Sequence, residues 1–357
     1  MVSVVGWDIG GANIKLAYLS TYDNMIEDIK VTIKYFPIWK KGKEKLGSAL
    51  KSILSKHEIS DVDLMVITMT AELSDVYFSK SEGVNHIIST VEETFPNTQI
   101  KVLDVDGNLI RPVEAKRNPL RVAAANWYAT GWIASKLSDD CLVVDVGSTT
   151  TSIIPVINGR VAAKGKNDLE KLIVGELVYT GALRTNIAAI TQSVPYKDNI
   201  VHVSSEYFAQ SGDVHLLLGN ISKGDYTVDT PDGRGVSIDE AAARIARLIC
   251  ADLDMLSMED ILQIAKHVYS CQINQIVNGL NKLIKNFDSD LKSFPAYTTG
   301  LGSDFLAKPA LQKAGFKDIR KLSDYIGELP AKATPAYALA LMGVESIVGE
   351  VENWRLF

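Results

Sequence analysis

The sequence predicts an α/β protein of two related halves, with a largely helical later region. A strand that ends in an aspartate and runs into a glycine turn occurs twice, in residues 4–15 (VVGWDIGGANIK) and residues 142–154 (LVVDVGSTTTSII). The two aspartates, Asp8 and Asp145, are 137 positions apart. Helical patterns dominate the last third of the chain. We expect the two hairpins to face one ligand.

Both hairpins have the composition of an anion site. In the second, Gly147 permits a tight backbone, and residues 148–151 offer hydroxyls and amides to phosphate oxygens. The corresponding places in the first hairpin are taken by Gly10, Gly11, Asn13 and Lys15. Either copy alone has the alternative of an ordinary hairpin with a glycine turn. The repetition favours function, because an aspartate at the end of a buried strand gains nothing from a core.

Composition excludes several classes of protein. With 357 residues the chain can bury a large core and is expected to form two domains or two packed halves. The net charge of −6 argues against a nucleic-acid partner, because binding a phosphate backbone requires a basic surface. No apolar run approaches the roughly 18 residues that cross a bilayer, and we expect no export because the start MVSVVGWD lacks a basic, apolar and small-residue leader pattern. The three cysteines are too widely spaced for a disulfide framework or a zinc site, so we expect the reducing cytoplasm. From the charge we expect small-molecule partners, and from the lack of an apolar run we expect no membrane association.

Strands and helices alternate through the first half. The predicted strands are residues 16–18, 28–35, 63–70 and 100–103, and the predicted helices are residues 43–56, 83–94 and 121–136. The third of these strands ends in Thr68, Thr70 and Glu72, at the carboxyl end where ligands collect in parallel sheets. Asp104 and Asp106 are interpreted as turn residues, because Asp106 precedes a glycine.

Two later segments carry further candidates. On helix 121–136, Asn126 and Trp127 are candidates to face substrate, although a helix tryptophan is more often core. The densest polar segment, residues 165–187, includes Asp168, Glu176, Tyr179 and Arg184. Its arginine suits bidentate phosphate or carboxylate recognition, with a structural Arg–Glu pair as the alternative.

The later region begins with residues 192–235, which are rich in Gly, Asp and Ser and have little periodicity. Helices are predicted over residues 238–253, 258–287 and 307–314. A third glycine element, AYTTGLGS with Gly300 and Gly302, precedes a helix start and predicts a further anion or sugar site. Small residues let helix 334–343 pack closely beneath it.

The paired hairpins, the late glycine turn and the alanine-rich last helix resemble the superfamily of actin, sugar kinases and Hsp70. This resemblance implies two ribonuclease-H-like halves around a central cleft, with DIGGANIK and DVGSTTT as phosphate loops. The halves would be residues 1–138 and residues 139–357. The second would contain an insertion at about residues 190–290, followed by the glycine turn and the last helix.

More closely, the chain resembles the hydantoinase-related family linked to tetrahydromethanopterin-dependent one-carbon transfer. The motifs are GWDIGGANIK, DVDG, AANWYATG, DVGSTTTSIIPVINGRV, GELVYTGALRT and TGLGSDFLA. The resemblance implies a transferase of methanofuran biosynthesis that joins 5-(aminomethyl)furan-3-yl-methyl diphosphate to the phenol oxygen of γ-glutamyltyramine and releases diphosphate. The alternative is an ATP-dependent small-molecule kinase or ATPase. Phosphotransfer is disfavoured by Gly11 and Asn13, where a kinase commonly has threonine and a further hydroxyl.

These readings assign a role to each candidate residue. Asp8 and Asp145 are predicted to hold Mg²⁺, which prefers one or two carboxylates plus phosphate. The predicted catalytic residues are Lys15 and Asp145 at the leaving group and Asp168 or Glu176 as the base. The predicted diphosphate-binding residues are Gly10, Gly11, Asn13, Lys15, Gly147, Ser148, Thr149, Thr150, Gly300 and Gly302. The predicted substrate contacts are Arg184, Asn126, Trp127 and Tyr179. A homo-oligomer is left open.

Overall fold

The computed structural model describes residues 1–287 and 290–355. Two compact units are present. Unit 1 contains Met1–Val143, Ile154–Ile173 and the described residues from Arg320 onward. Unit 2 contains Val144–Ile153 and the described residues of Val174–Ile319. The predicted halves, residues 1–138 and 139–357, divide the chain by its repeated hairpins, and that division stays a prediction.

The strands and helices have the following bounds. The strands are β1 (Val2–Ile9), β2 (Asn13–Tyr22), β3 (Met25–Tyr35), β4 (Leu64–Met69), β5 (Gln99–Leu103), β6 (Leu109–Ile110), β7 (Cys141–Val146), β8 (Thr151–Ile157), β9 (Arg160–Val161), β10 (Leu177–Val178), β11 (Ser193–Tyr196), β12 (Asn199–His202), β13 (Ala296–Thr299) and β14 (Ile319–Lys321). The longer helices are α1 (Leu46–Lys56), α2 (Lys80–Thr94), α3 (Pro112–Arg117), α4 (Asn126–Ser135), α5 (Asp168–Val174), α6 (Ser211–Leu217), α7 (Ile238–Arg247), α8 (Met258–Ile284), α9 (Lys308–Ala314) and α10 (Thr334–Val348). Helices of four or five residues are Ile38–Lys41, Ile187–Ile190, Ser323–Ile326 and Glu328–Lys332.

The first sheet has the strand order β3-β2-β1-β4-β5-β6. Strands β1, β2 and β3 pair antiparallel, whereas β4 pairs parallel with both β1 and β5. Three antiparallel strands followed by two parallel ones are the arrangement expected for a ribonuclease-H-like half. One face of β1 contributes Val5, Trp7 and Ile9 to a buried core that also contains residues of α1 and α2.

The opposite face of the first sheet is covered by α10, and small residues make the close contact possible. A Cβ atom at Gly6 of β1 would clash with the carbonyl oxygen of Ala336 and lie 2.6 Å from the amide nitrogen of Ala340. A Cβ atom at Gly343 would lie 2.6 Å from Cγ1 of Val4. The N-terminal part of α10 therefore lies nearer to the carboxyl end of β1 than its C-terminal part does.

The second sheet has the strand order β10-β8-β7-β13-β14, with β9 paired to β8. In this order β7 lies between its hairpin partner β8 and the later strand β13, as β1 lies between β2 and β4. The predicted repetition is thus confirmed at the level of strand order. The prediction that the later region is largely helical is also confirmed, by α6 to α8, and the chain returns to the second sheet at β13.

Two predicted segments differ from the structure. The helix predicted over residues 121–136 is wrong in its first turn, because α4 begins at Asn126. Ala123 instead forms an isolated parallel bridge with Met69, and Ala124 has a positive φ of 50°. The irregular segment 192–235 contains the hairpin β11–β12 and helix α6. Its strands are short and one contains Pro195, so the pattern was too weak to indicate them.

Two further observations concern the chain as a whole. Among residues 1–287 and 290–355, no helix is long and apolar enough to cross a membrane. Cys141, Cys250 and Cys271 are all free thiols, as their spacing predicted.

Candidate functional site

The first glycine hairpin is a tight loop between β1 and β2. The N–H of Gly10 donates to the carbonyl of Asn13 across 2.9 Å. The loop packs on the segment after β4, because a Cβ atom at Gly11 would lie 2.7 Å from the Ser74 hydroxyl. The glycines at 10 and 11 are therefore required by close packing as well as suited to an anion.

The carboxylate of Asp8 lies at the end of β1 and is 3% exposed. Lys15 is its cross-strand partner, with Nζ 3.3 Å from Oδ2. The second carboxylate oxygen, Oδ1, is buried and has no hydrogen-bond partner among the described residues. The amide oxygen of Asn13 and the hydroxyl of Thr68 are also buried without a hydrogen-bond partner among the described residues. Thr68 of β4 is the residue paired with Asp8 of β1. Buried polar atoms without partners are rare, and several together indicate a bound water, ion or ligand.

The unpartnered oxygens at Asp8 can be compared with the ligands that the predicted Mg²⁺ would need. A buried carboxylate oxygen that lacks a donor is chemically suited to a hard cation, so Asp8 fits the group. In the part of the chain that the structure describes, no cluster of three or more His, Cys, Asp or Glu residues could hold a metal. A Mg²⁺ ion at Asp8 would consequently depend on phosphate and water for most of its ligands. The shared role predicted for Asp8 and Asp145 stays a prediction.

The second glycine hairpin is held by the segment that follows β10. The N–H of Gly147 donates to the carbonyl of Thr150 across 3.0 Å. The carbonyl of Gly147 accepts from the N–H of Ala182, and the carbonyl of Ser148 accepts from Leu183 and Arg184, at 2.9 to 3.0 Å. With its carbonyls occupied in this way, the loop leaves the half-buried side chains of residues 148–150 for other partners.

Gly181 permits the close contact between the second glycine hairpin and the segment that follows β10. A Cβ atom there would lie 2.5 Å from the carbonyl carbon of Thr149 and 2.6 Å from its nitrogen. The guanidinium of Arg184 donates from Nη1 to the Thr149 hydroxyl across 3.1 Å. Arg184 therefore lies at the predicted phosphate loop, whereas Tyr179, the other predicted substrate contact in this segment, has a side chain that is 58% exposed.

The third glycine element meets the same loop. Gly300 follows β13 with a φ of 81°, and a Cβ atom there would lie 2.5 Å from Oδ1 of Asp145. The N–H of Gly302 donates to the carbonyl of Val146 across 2.9 Å. The structure thus brings together Asp145, Gly147 to Thr150, Arg184, Gly300 and Gly302. Their predicted roles in binding diphosphate stay predictions.

A buried network of polar side chains forms hydrogen bonds to Thr180 and Gly181. The amide of Gln272 donates to the Gly181 carbonyl and to the Thr180 hydroxyl, across 2.8 and 3.0 Å. Its oxygen is left to accept from Nε2 of His215, 2.9 Å away. Burial lowers the pKa of His215 to about 4, so this histidine is neutral near pH 7. Sequence reasoning assigned no role to Gln272 or His215, because no motif marks an isolated polar residue.

A separate cluster in unit 1 contains Asp168. This residue begins α5, and its carboxylate pairs with Nζ of Lys80 at 2.6 Å. Beside this pair lies Glu72, which is 1% exposed. Burial raises the pKa of Glu72 to about 8, although the N–H groups of Glu72 and Ala124 and the charge of Lys80 oppose the shift. The other predicted base, Glu176, is fully buried in unit 2.

Trp127 lies in the first turn of α4 and is 4% exposed, as the core interpretation expected. The ammonium of Lys171 lies 3.5 Å from the centroid of one of its rings, within the range of a cation–π interaction. Asp168 and Lys171 both belong to α5, so this helix contacts both Lys80 and Trp127. Asn126, the first residue of α4, is half-buried.

Comparison with known proteins places the chain in a family. A family model described as Hydantoinase/oxoprolinase matches residues 63–341. A protein of Methanocaldococcus jannaschii named (4-{4-[2-(gamma-L-glutamylamino)ethyl]phenoxymethyl}furan-2-yl)methanamine synthase is 37% identical over 340 residues, which cover 95% of this chain and 97% of the relative. A protein of the same name from Methanococcus vannielii is 35% identical over 59% of this chain and 94% of its own.

The solved structures include one with the same fold. Nucleotide-free acetone carboxylase aligns with a TM-score of 0.56 at 12% sequence identity, covering 95% of this chain and 70% of its own. At that identity the likeness concerns the fold alone. The family match extends over more than half of the sequence, and the first relative aligns over nearly the whole length of both proteins. The chain therefore belongs to the Hydantoinase/oxoprolinase family.

Proposed function

We propose that this protein is a transferase of methanofuran biosynthesis that forms an aryl ether. It joins 5-(aminomethyl)furan-3-yl-methyl diphosphate to the phenol oxygen of γ-glutamyltyramine and releases diphosphate. One observation carries the proposal: the 37% identity, over 95% of the chain, to a synthase whose name describes such a phenoxymethyl-furan product. The function predicted from the sequence agrees with the names of both relatives.

The geometry of the first loop supports a diphosphate leaving group. Negative charge grows on the diphosphate as its bond to the furan-methyl carbon breaks, and catalysis requires donors placed where that charge develops. Lys15 provides an ammonium beside the loop, anchored by Asp8 at 3.3 Å. A Mg²⁺ ion, when bound, would neutralise phosphate charge, and Asp8 would hold it in this unit.

The second loop has a complementary composition. Its hydroxyls, the guanidinium of Arg184 and the amides near Gly300 are groups that bind phosphate or carboxylate oxygens. That both loops bind the same diphosphate, with Asp145 sharing the metal, is part of the proposal. So are the small-molecule partners named here and a cytoplasmic location.

The experiment supplies purified protein with the furan-methyl diphosphate, γ-glutamyltyramine and Mg²⁺. The expected result is formation of the ether and of diphosphate in equal amounts. Mass spectrometry measures the ether, and a diphosphate assay measures the leaving group. A parallel reaction contains ATP in place of the furan substrate. Release of phosphate from ATP together with no ether from the first reaction would refute the transferase and favour the kinase or ATPase alternative.

Two variants test the leaving-group role. We expect Lys15→Ala and Asp145→Asn each to lower kcat by about 10²- to 10³-fold, the usual effect of removing one preorganised charge-stabilising group. Lys51→Ala, an exposed lysine on α1, is the matched control and should retain wild-type kcat. A near wild-type kcat for Lys15→Ala would show that this loop does not stabilise the leaving group.

A further inference from the structure

Glu72 lies directly after β4, in the short 3₁₀ turn Ala71–Leu73. Its side chain is 1% exposed, and neither carboxyl oxygen has a hydrogen-bond partner among the described residues. Helix α2 packs against its backbone, since a Cβ atom at Gly83 would lie 2.5 Å from Cα of Glu72. Burying a carboxyl group without a partner is costly, so its presence requires an explanation beyond packing.

The backbone beside Glu72 is strained. Ala124 has a φ of 50°, a left-handed conformation that is unfavourable for a residue with a Cβ atom. The bridge between Ala123 and Met69 holds this segment next to the end of β4. The N–H of Ala124 is close enough to Glu72 to favour its charged form. Strained backbone conformations cluster at functional sites, and here one lies beside a buried carboxyl whose oxygens have no hydrogen-bond partner among the described residues.

The surroundings of Glu72 distinguish it from the bases predicted earlier. The charged groups that act on it are Lys80 of α2 and Asp168 of α5, and these two pair with each other at 2.6 Å. Among the described residues, Tyr77 is a further titratable neighbour, and the charge of Glu72 contributes to raising the pKa of its phenol after the larger effects of burial and Glu82. The carboxylate of Asp168 is already engaged by the ammonium of Lys80. Glu72 lacks such a direct pair, and burial brings its pKa closer to that of a phenol, about 10.

We propose that Glu72 is the general base of ether formation and that it takes the proton of the acceptor phenol. The inference rests on the proposed function. The phenol O–H bond breaks and its proton passes to a carboxyl oxygen of Glu72. An electron pair of the phenol oxygen forms the bond to the furan-methyl carbon. The bond from that carbon to diphosphate breaks, and its electron pair leaves with the diphosphate. Glu72 then returns its proton to solvent.

The experiment compares wild type with Glu72→Gln, Glu72→Asp and Glu93→Gln, the last being an exposed glutamate of α2 that serves as control. Each is assayed for kcat/KM across pH, with γ-glutamyltyramine and with acceptors whose phenol is made more acidic by ring fluorine. We expect Glu72→Gln to lower kcat/KM by about 10²- to 10⁴-fold with the ordinary acceptor. The defect should shrink as the phenol becomes more acidic, because a more acidic phenol needs less help.

The pH profile gives an independent readout. Wild-type kcat/KM should rise as pH increases through about 8, since the base must be ionised, and this rise should be absent in Glu72→Gln. Glu72→Asp should recover part of the rate and keep a pH-dependent rise. Thermal unfolding and calorimetric binding of diphosphate establish that each variant is folded.

Three results would overturn the inference: a near wild-type rate for Glu72→Gln, a defect of the same size with every acceptor, or an unchanged pH profile. A defect that disappears only when the furan substrate lacks its aminomethyl group would instead make Glu72 a binding site for that ammonium. If Glu72→Gln fails to fold, the wild-type enzyme still tests the proposal. A rise of its kcat/KM through about pH 8 that does not weaken with fluorinated acceptors would contradict the proposal. Failure of the proposed function is distinct, because wild type would then form no ether.

Discussion

The buried carboxyl of Glu72 should make the stability of this protein depend on pH in a way that one substitution removes. Burial raises the pKa of Glu72 from 4.5 to about 8 in the folded protein. Between those values the folded state keeps a proton that the unfolded state has lost. Stability from this group is therefore fully present below about pH 4.5 and is lost as pH rises through about 8.

The size of the effect follows from the shift. At 1.36 kcal/mol per pKa unit, wild type should lose roughly 5 kcal/mol of unfolding free energy relative to Glu72→Gln between about pH 4.5 and pH 9. Glutamine has nearly the shape of protonated glutamate and no charge to bury. Near pH 5 the two proteins should thus be similarly stable, and at higher pH the variant should be the more stable one.

Urea unfolding of both proteins near pH 5, 7 and 9, at about equal ionic strength, measures this difference. Taking the difference between the two proteins removes contributions from His86, His215 and every other group that titrates in both. Glu93→Gln, which changes an exposed carboxylate, should follow wild type at each pH. Parallel stability curves for wild type and Glu72→Gln would refute the reasoning, because Glu72 would then titrate alike in the folded and unfolded states.

Three more predictions follow from named contacts. Arg184→Ala should mainly raise KM with little change in kcat, because Arg184 contacts the second loop through Thr149, and a fall in kcat alone in steady-state assays would contradict this. Gly181→Ala should weaken diphosphate binding, measured by calorimetry, because the added Cβ would displace the second loop. Gly224→Ala, whose Cβ would meet only a hydroxyl at 3.6 Å, is the control and should bind normally. Equal binding by the two variants would contradict the prediction. Gly6→Ala should lower unfolding stability by about 1 to 3 kcal/mol in urea, because it overpacks the contact with α10, and an unchanged midpoint and slope would count against that packing.

Local patterns in the sequence determined the α/β class, the strands that end in Asp8 and Asp145 and the largely helical later region. Each of these depends on residues that are near one another in the chain, on strand alternation, helical spacing and glycine turns. The first loop was predicted for the same reason, since Gly10 and Asn13 are neighbours in one hairpin. Local propensity was wrong where a distant contact competed with it. Residues 122–125, rich in alanine, are not part of an α-helix because Ala123 pairs with Met69 instead.

Tertiary structure alone decided which candidate residues meet. Lys80 and Asp168 are 88 positions apart in the chain, and their ion pair beside Glu72 was invisible to any motif. Gln272 supports Gly181 from 91 positions away. The raised pKa of Glu72 has the same origin, because it depends on burial of the carboxyl by the surrounding fold, which includes the packing of α2. A sequence specifies which groups can carry charge, whereas desolvation and pairing depend on what the fold places around them.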